Sequence, residues 1–241
     1  MPEAADRAQA NGRWPAAVVF DFDGVLVDTE PLHYRALAAM FDEAGLRMTE
    51  ADYLAEYIGY DDRETLRAGL ARQGVTIGDA RFQELLRRKA AGFERLAREA
   101  GLAALPGAAE LVRALGGRGI PVALCSGALP GDIDPILARI GLDGAFAVCV
   151  TAADVARSKP DPASYRLALD RLARGFPGRR FPPARCLAIE DTPAGIASAH
   201  GAGLRVLAVE QTHASEALGS ADGIVPSLAD VTPETLARWL A

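Results

Sequence analysis

The chain has few of the features that mark secreted or membrane-spanning proteins. Its three cysteines, Cys125, Cys149 and Cys186, cannot all pair and lie in or beside apolar runs, so we expect reduced core residues of a cytoplasmic protein. The longest stretches without a charged residue, 119–131 and 192–204, are thirteen residues long, too short to cross a bilayer. The N-terminal segment MPEAADRAQANGRWP carries acidic residues and no apolar core, so we do not expect a secretory signal.

An excess of positive charge is also missing. The 26 Lys and Arg are outnumbered by 32 Asp and Glu, which gives a net charge of −6 and no general attraction to nucleic acid or to an anionic membrane. The 241 residues are instead 50% hydrophobic and 24% charged, a composition typical of a globular protein with a substantial core. No exposed apolar stripe stands out, so we expect a monomer with neither a nucleic-acid nor a membrane partner.

Short apolar runs alternate with helical patterns along most of the chain. The strand-like runs are 17–20, 120–125, 146–150, 186–189 and 206–209. The helical patterns between them are 108–115, 133–140, 162–172 and 193–199. This alternation predicts βαβ units and a mostly parallel sheet of the α/β class. Ligands of such sheets bind beyond the carboxyl ends of the strands.

Residues of about 31–104 interrupt this alternation, because they contain no strand-like run. Amphipathic helical patterns occur instead, at 32–44, 62–72 and 79–100. We therefore expect a helical cap domain over 31–104, inserted into a core domain over 1–30 and 105–241. Hinges are expected at 28–31 and 101–107.

Two carboxylates follow the first predicted strand, Asp21 and Asp23, with Gly24 behind them. Taken alone, they suit an acidic strand-to-turn transition at the surface, since Asp and Gly are common there. They also suit a nucleophile and a general acid/base beside a metal ion. The residues that follow the other strands favour the second interpretation.

The next three strand ends supply complementary chemistry. Ser126 and the backbone N–H of Gly127 suit a phosphate oxygen. Lys159 stands in the proline-stiffened segment SKPDP; alone, it would be taken for a surface lysine, and only its place in the series favours a site. Glu190 and Asp191 follow the fourth strand, directly before a helix.

With the segments DFDGVLVDTEPLH, SKPDP and IEDTPAGIASAHGAG and the Ser126 strand end, the chain resembles the haloacid dehalogenase-like (HAD) hydrolases. The subgroup is the one with a helical cap inserted after the first motif, which includes phosphoglycolate phosphatase and β-phosphoglucomutase. The resemblance covers about 18–209 and implies a Rossmann-like parallel-sheet core with a mobile α-helical cap.

The resemblance also implies roles for the strand-end residues. Asp21 would be the nucleophile that forms an aspartyl-phosphate, and Asp23 would protonate the leaving alcohol and then deprotonate the attacking water. Ser126 and the Gly127 amide would hold phosphoryl oxygens, and Lys159 would bridge Asp21 and the phosphate.

Magnesium is the cofactor that the resemblance implies. Its ligands would be the Asp21 carboxylate, the Asp23 backbone carbonyl and Asp191, with Glu190 bound directly or through water. Mg²⁺ takes oxygen ligands such as these. It would also offset the repulsion between a carboxylate and a phosphate, about 4 kcal/mol per charge pair at 4 Å with an effective dielectric near 20.

Three basic residues of the predicted cap are candidates for binding substrate. Arg63 ends the loop 59–63, from which it can reach an anion. His33 stands on the first cap helix and could equally pack at the hinge. Lys89 follows two arginines, which favours a solvated helix face over contact with substrate.

We expect a phosphatase that acts on a small phosphorylated metabolite, such as a sugar phosphate or a phosphoglycolate-like compound. A β-phosphoglucomutase-like mutase is the alternative, but 127–130, Gly-Ala-Leu-Pro, offers no polar grip for a second phosphate. A catalytically idle phosphate-binding protein is a third possibility, which Asp23 opposes because a binder needs no acid on the leaving-group side.

Overall fold

The computed structural model describes residues 14–58 and 60–240. Residues 1–13 lie outside these ranges, and so does most of the N-terminal segment in which we expect no secretory signal. Gly59, the first residue of the loop 59–63, also lies outside them. No helix within them is long and apolar enough to cross a membrane. The chain divides into two compact units. Of the described residues, those up to Asp28 and from Ala103 onward form the core unit, and those of Thr29–Leu102 form the helical unit.

The described residues form six strands and nine α-helices, numbered in chain order. The strands are β1 (Ala17–Phe20), β2 (Val122–Cys125), β3 (Val148–Val150), β4 (Cys186–Glu190), β5 (Arg205–Val209) and β6 (Gly223–Val225). The helices are α1 (Glu30–Glu43), α2 (Glu50–Asp52), α3 (Asp62–Gln73), α4 (Asp79–Glu99), α5 (Ala108–Gly117), α6 (Pro130–Arg139), α7 (Ala163–Gly175), α8 (Pro193–Gly201) and α9 (Pro233–Leu236). A π-helical turn follows α2 (Tyr53–Tyr57), and 3₁₀ turns occur at Pro183–Arg185 and Ala237–Leu240.

The core unit is built on one sheet with the strand order β3-β2-β1-β4-β5-β6. Every pair of neighbouring strands is parallel, so the predicted α/β class is confirmed. Strand β1 lies between β2 and β4 and is fully buried, which is why its four residues are all apolar. The first predicted strand agrees with β1, while the other predicted strands differ by one or two residues at an end.

Two features of the sheet differ from the sequence expectations. Strand β6 was not predicted, because it has three half-buried residues and no long apolar run. Cys125 and Cys186 are buried free thiols as expected, but the prediction of a core position for Cys149 is wrong. Cys149 is the central residue of the edge strand β3, where the two-residue alternation buries Val148 and Val150 and exposes the residue between them.

In the helical unit, α1 and α4 pack against each other, and both contribute side chains to a buried apolar cluster. Within that unit the expected solvated position of Lys89 is wrong, since the residue is only 3% exposed. Lys89 lies four residues after Leu85 and four before Phe93, both buried on the same face of α4. That spacing was a usable signal in the sequence, which the two preceding arginines obscured.

Candidate active site

The carboxyl ends of β1, β2 and β4 bring Asp21, Ser126 and Glu190 to one edge of the sheet, since these strands are parallel neighbours. The Asp21 N–H donates to the Ile189 carbonyl at 2.9 Å, which ties the end of β1 to β4. The Ser126 N–H donates to the Val150 carbonyl at 2.9 Å in the same way. The backbone of the sheet thus determines where these side chains start, independently of any contact between the side chains themselves.

Lys159, in the loop between β3 and α7, connects two of the predicted site residues. Its Nζ donates to Asp21 Oδ1 at 2.7 Å, to Glu190 Oε1 at 2.6 Å and to the Cys125 carbonyl at 3.1 Å. Burial alone would lower the pKa of Lys159, but the Asp21 and Glu190 carboxylates raise it well above its usual value. The lysine is therefore a fixed cation in the site.

Asp21 is slightly more buried than the lysine beside it, with 12% of its side chain exposed against 13% for Lys159. Burial above all, and then the charges of Glu190 and Asp23, raise the pKa of Asp21 to about 7 against the opposing effect of Lys159. A carboxylate in this position is poorly compensated, so a further cation at the site would favour its ionised form.

Glu190 is completely buried and receives hydrogen bonds on both oxygens. Besides Lys159, the Tyr165 hydroxyl donates to Oε1 at 2.6 Å. The Asp191 N–H and the Thr192 hydroxyl make longer contacts to Oε2, at 3.3 and 3.4 Å. Tyr165, on α7, is a site residue that sequence reasoning missed, because an aromatic residue at helical spacing is typical of a core face.

Asp191 is 1% exposed, and neither of its carboxylate oxygens makes a hydrogen bond within the described residues. Burial and the charges of Asp21 and Glu190 raise its pKa well above the usual value. The Thr212 side chain opposes that rise. A buried carboxylate without donors is costly, and a metal ion is one group that would satisfy it.

Carboxylate oxygens of Asp21, Glu190 and Asp191 lie within 4.8 Å of one another, a spacing that can hold a metal ion. Three carboxylates against one lysine leave two negative charges, which fits a divalent cation. Oxygen-only ligands fit a hard ion.

Gly24 allows Asp191 to approach the turn after β1. Its φ of +72° is a left-handed conformation, and an added Cβ would lie 2.6 Å from Asp191 Cγ and 2.7 Å from Thr212 Oγ1. Asp23, directly before it, has a half-buried side chain and pairs through its backbone with Val27. Asp23 therefore belongs to the same turn as the glycine that makes room for Asp191.

Ser126 and Gly127 directly follow the carboxyl end of β2. Ser126 is buried, and its Oγ accepts a hydrogen bond from the Ala128 N–H at 3.0 Å. Gly127 is exposed, and an added Cβ there would meet no atom within 4 Å. The backbone at this position can accommodate a ligand oxygen.

Two of the three candidates in the helical unit contact each other. Lys89 Nζ lies 3.1 Å from His33 Nδ1 and 2.7 Å from Asp62 Oδ1, and the His33 ring stacks on Phe93 at 4.2 Å between centroids. Burial, and then the charge of Lys89, lower the pKa of His33 well below its usual value, so the imidazole is neutral. Arg63, beside Asp62, is solvent-exposed and outside this cluster.

A protein-family model described as haloacid dehalogenase-like hydrolase matches residues 15–203. The chain is 34% identical over 216 residues to hexitol phosphatase A of Escherichia coli (strain K12), covering 89% of this chain and 92% of that protein. It is 29% identical over 226 residues to protein CbbY of Rhodobacter capsulatus, covering 91% of this chain and 96% of that one.

Among solved structures, CbbY from Rhodobacter sphaeroides in complex with xylulose-(1,5)-bisphosphate is similar to this chain with a TM-score of 0.80 at 27% identity. The match covers 90% of this chain and 96% of that one.

Proposed function

Since the chain belongs to the haloacid dehalogenase-like hydrolases, we propose that it is a magnesium-dependent phosphatase that hydrolyses a small phosphorylated sugar. The observation that carries the proposal is the buried set of Asp21, Glu190 and Asp191 with Lys159 bound between the first two. The names of the hexitol phosphatase and of the bisphosphate complex support a sugar phosphate as the substrate class.

In the proposed reaction, a carboxylate oxygen of Asp21 attacks the phosphorus atom and the bond from phosphorus to the sugar oxygen breaks. Asp23 gives its proton to that oxygen, and the sugar alcohol leaves. Asp23 then takes a proton from water, whose oxygen attacks the phosphorus of the aspartyl-phosphate and releases phosphate and the Asp21 carboxylate. At the end of the cycle Asp21 is again a carboxylate and Asp23 is again protonated.

Lys159 reduces the electrostatic cost of the first step. A carboxylate 4 Å from a phosphate charge is repelled by about 4 kcal/mol at an effective dielectric near 20, and an ammonium paired with Asp21 offsets a cost of that size. Ser126 and the Gly127 amide would hold the phosphoryl oxygens in line with the nucleophile.

Asp21, Asp191 and the Asp23 backbone carbonyl would hold Mg²⁺, with Glu190 adjacent. The ion supplies positive charge toward the phosphoryl oxygens when it is bound. In the helical unit, Arg63, His33 and Lys89 are the proposed contacts for the sugar end of the substrate. The neutral imidazole of His33 can donate or accept a hydrogen bond with a sugar hydroxyl.

The test is magnesium-dependent release of inorganic phosphate from a panel of hexitol, hexose and pentose phosphates, phosphoglycolate and p-nitrophenyl phosphate. We expect turnover that EDTA abolishes and that is strongest on a phosphorylated sugar. The Asp21→Asn variant is the matched control, because it keeps the side-chain shape and removes the nucleophile. No magnesium-dependent release by the parent, or equal release by the variant, contradicts the proposal.

A further inference from the structure

Tyr165 is a buried tyrosine that the reaction above does not use, although it contacts Glu190 of the candidate metal site and Lys159, which pairs with Asp21. Its hydroxyl donates to Glu190 Oε1 at 2.6 Å, and its ring centroid lies 5.3 Å from Lys159 Nζ. From this geometry we infer that Tyr165 is a positioning residue, which holds Glu190 and thereby keeps the Lys159 ammonium directed at Asp21. The inference rests on the proposed function.

The hydrogen bonds of Glu190 are unevenly divided between its two oxygens. Both short bonds, from Lys159 and from Tyr165, fall on Oε1, while Oε2 receives only the contacts at 3.3 and 3.4 Å. A carboxylate without solvent exposure depends on such donors for its stability. Without the tyrosine hydroxyl, Lys159 would be the only short-range donor to Glu190 in the described structure.

Lys159 cannot donate a second hydrogen bond to Glu190 in place of the tyrosine, because its N–H groups are already used. An ammonium carries three N–H groups, and Asp21, Glu190 and the Cys125 carbonyl occupy three directions. The Tyr165 ring attracts the same cation through its π face. The hydroxyl stabilises part of the Glu190 charge, so the ammonium is shared between two carboxylates instead of being drawn to one.

Loss of the Tyr165 hydroxyl should weaken stabilisation of the transition state more than it weakens substrate binding. As Asp21 attacks, negative charge passes from its carboxylate to the phosphoryl oxygens and the leaving oxygen, and an ammonium turned toward Glu190 would stabilise that charge less. Removing the hydroxyl should therefore lower kcat and leave KM almost unchanged.

The Tyr165→Phe variant tests this, because it removes the hydroxyl and keeps the ring and its packing. We expect kcat on the best sugar phosphate to fall about tenfold, the size expected for a hydrogen bond to a charged group. In calorimetry with Mg²⁺ present, affinity for inorganic phosphate should be unchanged, while affinity for orthovanadate, a transition-state mimic, should fall by the same factor as kcat. Tyr165→Leu, which also removes the ring, should lose more activity.

Leu172→Ala is the control for a merely structural effect. Leu172 is buried on the same helix and packs in the core of the sheet, so the substitution should lower the thermal midpoint without changing kcat. A Tyr165→Phe variant that behaves like Leu172→Ala, with lower thermal stability and parental kcat, overturns the inference.

A double-mutant cycle with Glu190→Ala separates action through Glu190 from any other effect of Tyr165. In the Glu190→Ala background, Tyr165→Phe should change kcat by less than about twofold, because its partner is absent. A second full tenfold loss there overturns the inference. A parent without magnesium-dependent activity overturns the proposed function and this inference with it, whereas an active parent with an equally active Tyr165→Phe variant overturns this inference alone.

Discussion

The Gly195→Ala substitution should damage the site although it adds one methyl group to a helix. Gly195 lies in the first turn of α8, where its N–H donates to the Thr192 hydroxyl at 3.1 Å. An added Cβ would stand closer than 3.0 Å to all three atoms of the Glu190 carboxyl group, a separation that real Cβ atoms essentially never show. The carboxylate has to move, and its bonds to Lys159 and Tyr165, each 2.6 Å long, have to stretch.

Two effects on stability oppose each other in this variant. Alanine is about 1 kcal/mol better than glycine in a helix, whereas overpacking a filled interior costs about 1–3 kcal/mol. The net change is a loss of about 0–2 kcal/mol, which lowers the thermal midpoint by several degrees at most in a chain of this size. A displacement of about 1 Å in a positioned group can reduce turnover about a hundredfold, so activity should suffer far more than stability.

The assay is thermal unfolding beside magnesium-dependent phosphate release from the best sugar phosphate. Gly92→Ala is the matched control, because Gly92 lies within α4 and an added Cβ there meets nothing within 4 Å. It should raise the thermal midpoint slightly and leave turnover unchanged. A Gly195→Ala enzyme with parental turnover would refute the close packing between α8 and Glu190 and the role assigned to that carboxylate.

Three further predictions concern Asp23, the metal site and the helical unit. The Asp23→Asn variant should turn over at least about a hundredfold more slowly, because it cannot transfer the proton, yet bind Mg²⁺ like the parent in calorimetry; parental turnover would contradict the acid/base role. With a folded pKa of about 7 against 3.8 for a free carboxyl, Asp21 favours the metal-free fold below pH 3.8, and this contribution is lost as the pH rises toward 7. Mg²⁺ binds the ionised form, so it should raise the thermal midpoint more at about pH 8 than at about pH 5, and an equal rise at both would count against the site. Lys89→Met should destabilise the protein by about 1–2 kcal/mol by removing the partner of the half-buried Asp62, whereas Arg88→Met at an exposed position should be nearly neutral in the same thermal scan; equal midpoints for the two variants would refute the contribution of the Lys89–Asp62 ion pair.

The family and the fold class could be predicted from the sequence because both depend on local patterns. Apolar runs of four to six residues separated by amphipathic helical patterns predict a parallel sheet, and the comparisons confirm the resemblance drawn from the strand-end segments. Strand β6 was missed because three half-buried residues carry no such pattern. Cys149 was misplaced because an apolar run does not reveal which strand lies at the edge of the sheet.

What the sequence by itself determined is which residues follow each strand, and hence that Asp21, Ser126 and Glu190 share one edge, since parallel neighbours end on the same side. The tertiary structure alone decided which atoms meet there. The Tyr165 hydroxyl reaches Glu190 across 25 positions of sequence, and both oxygens of Asp191 are buried without a donor in the described structure. These contacts depend on how helices pack on the sheet and on side-chain conformation. Such long-range packing has no period or spacing in the chain from which it could be deduced.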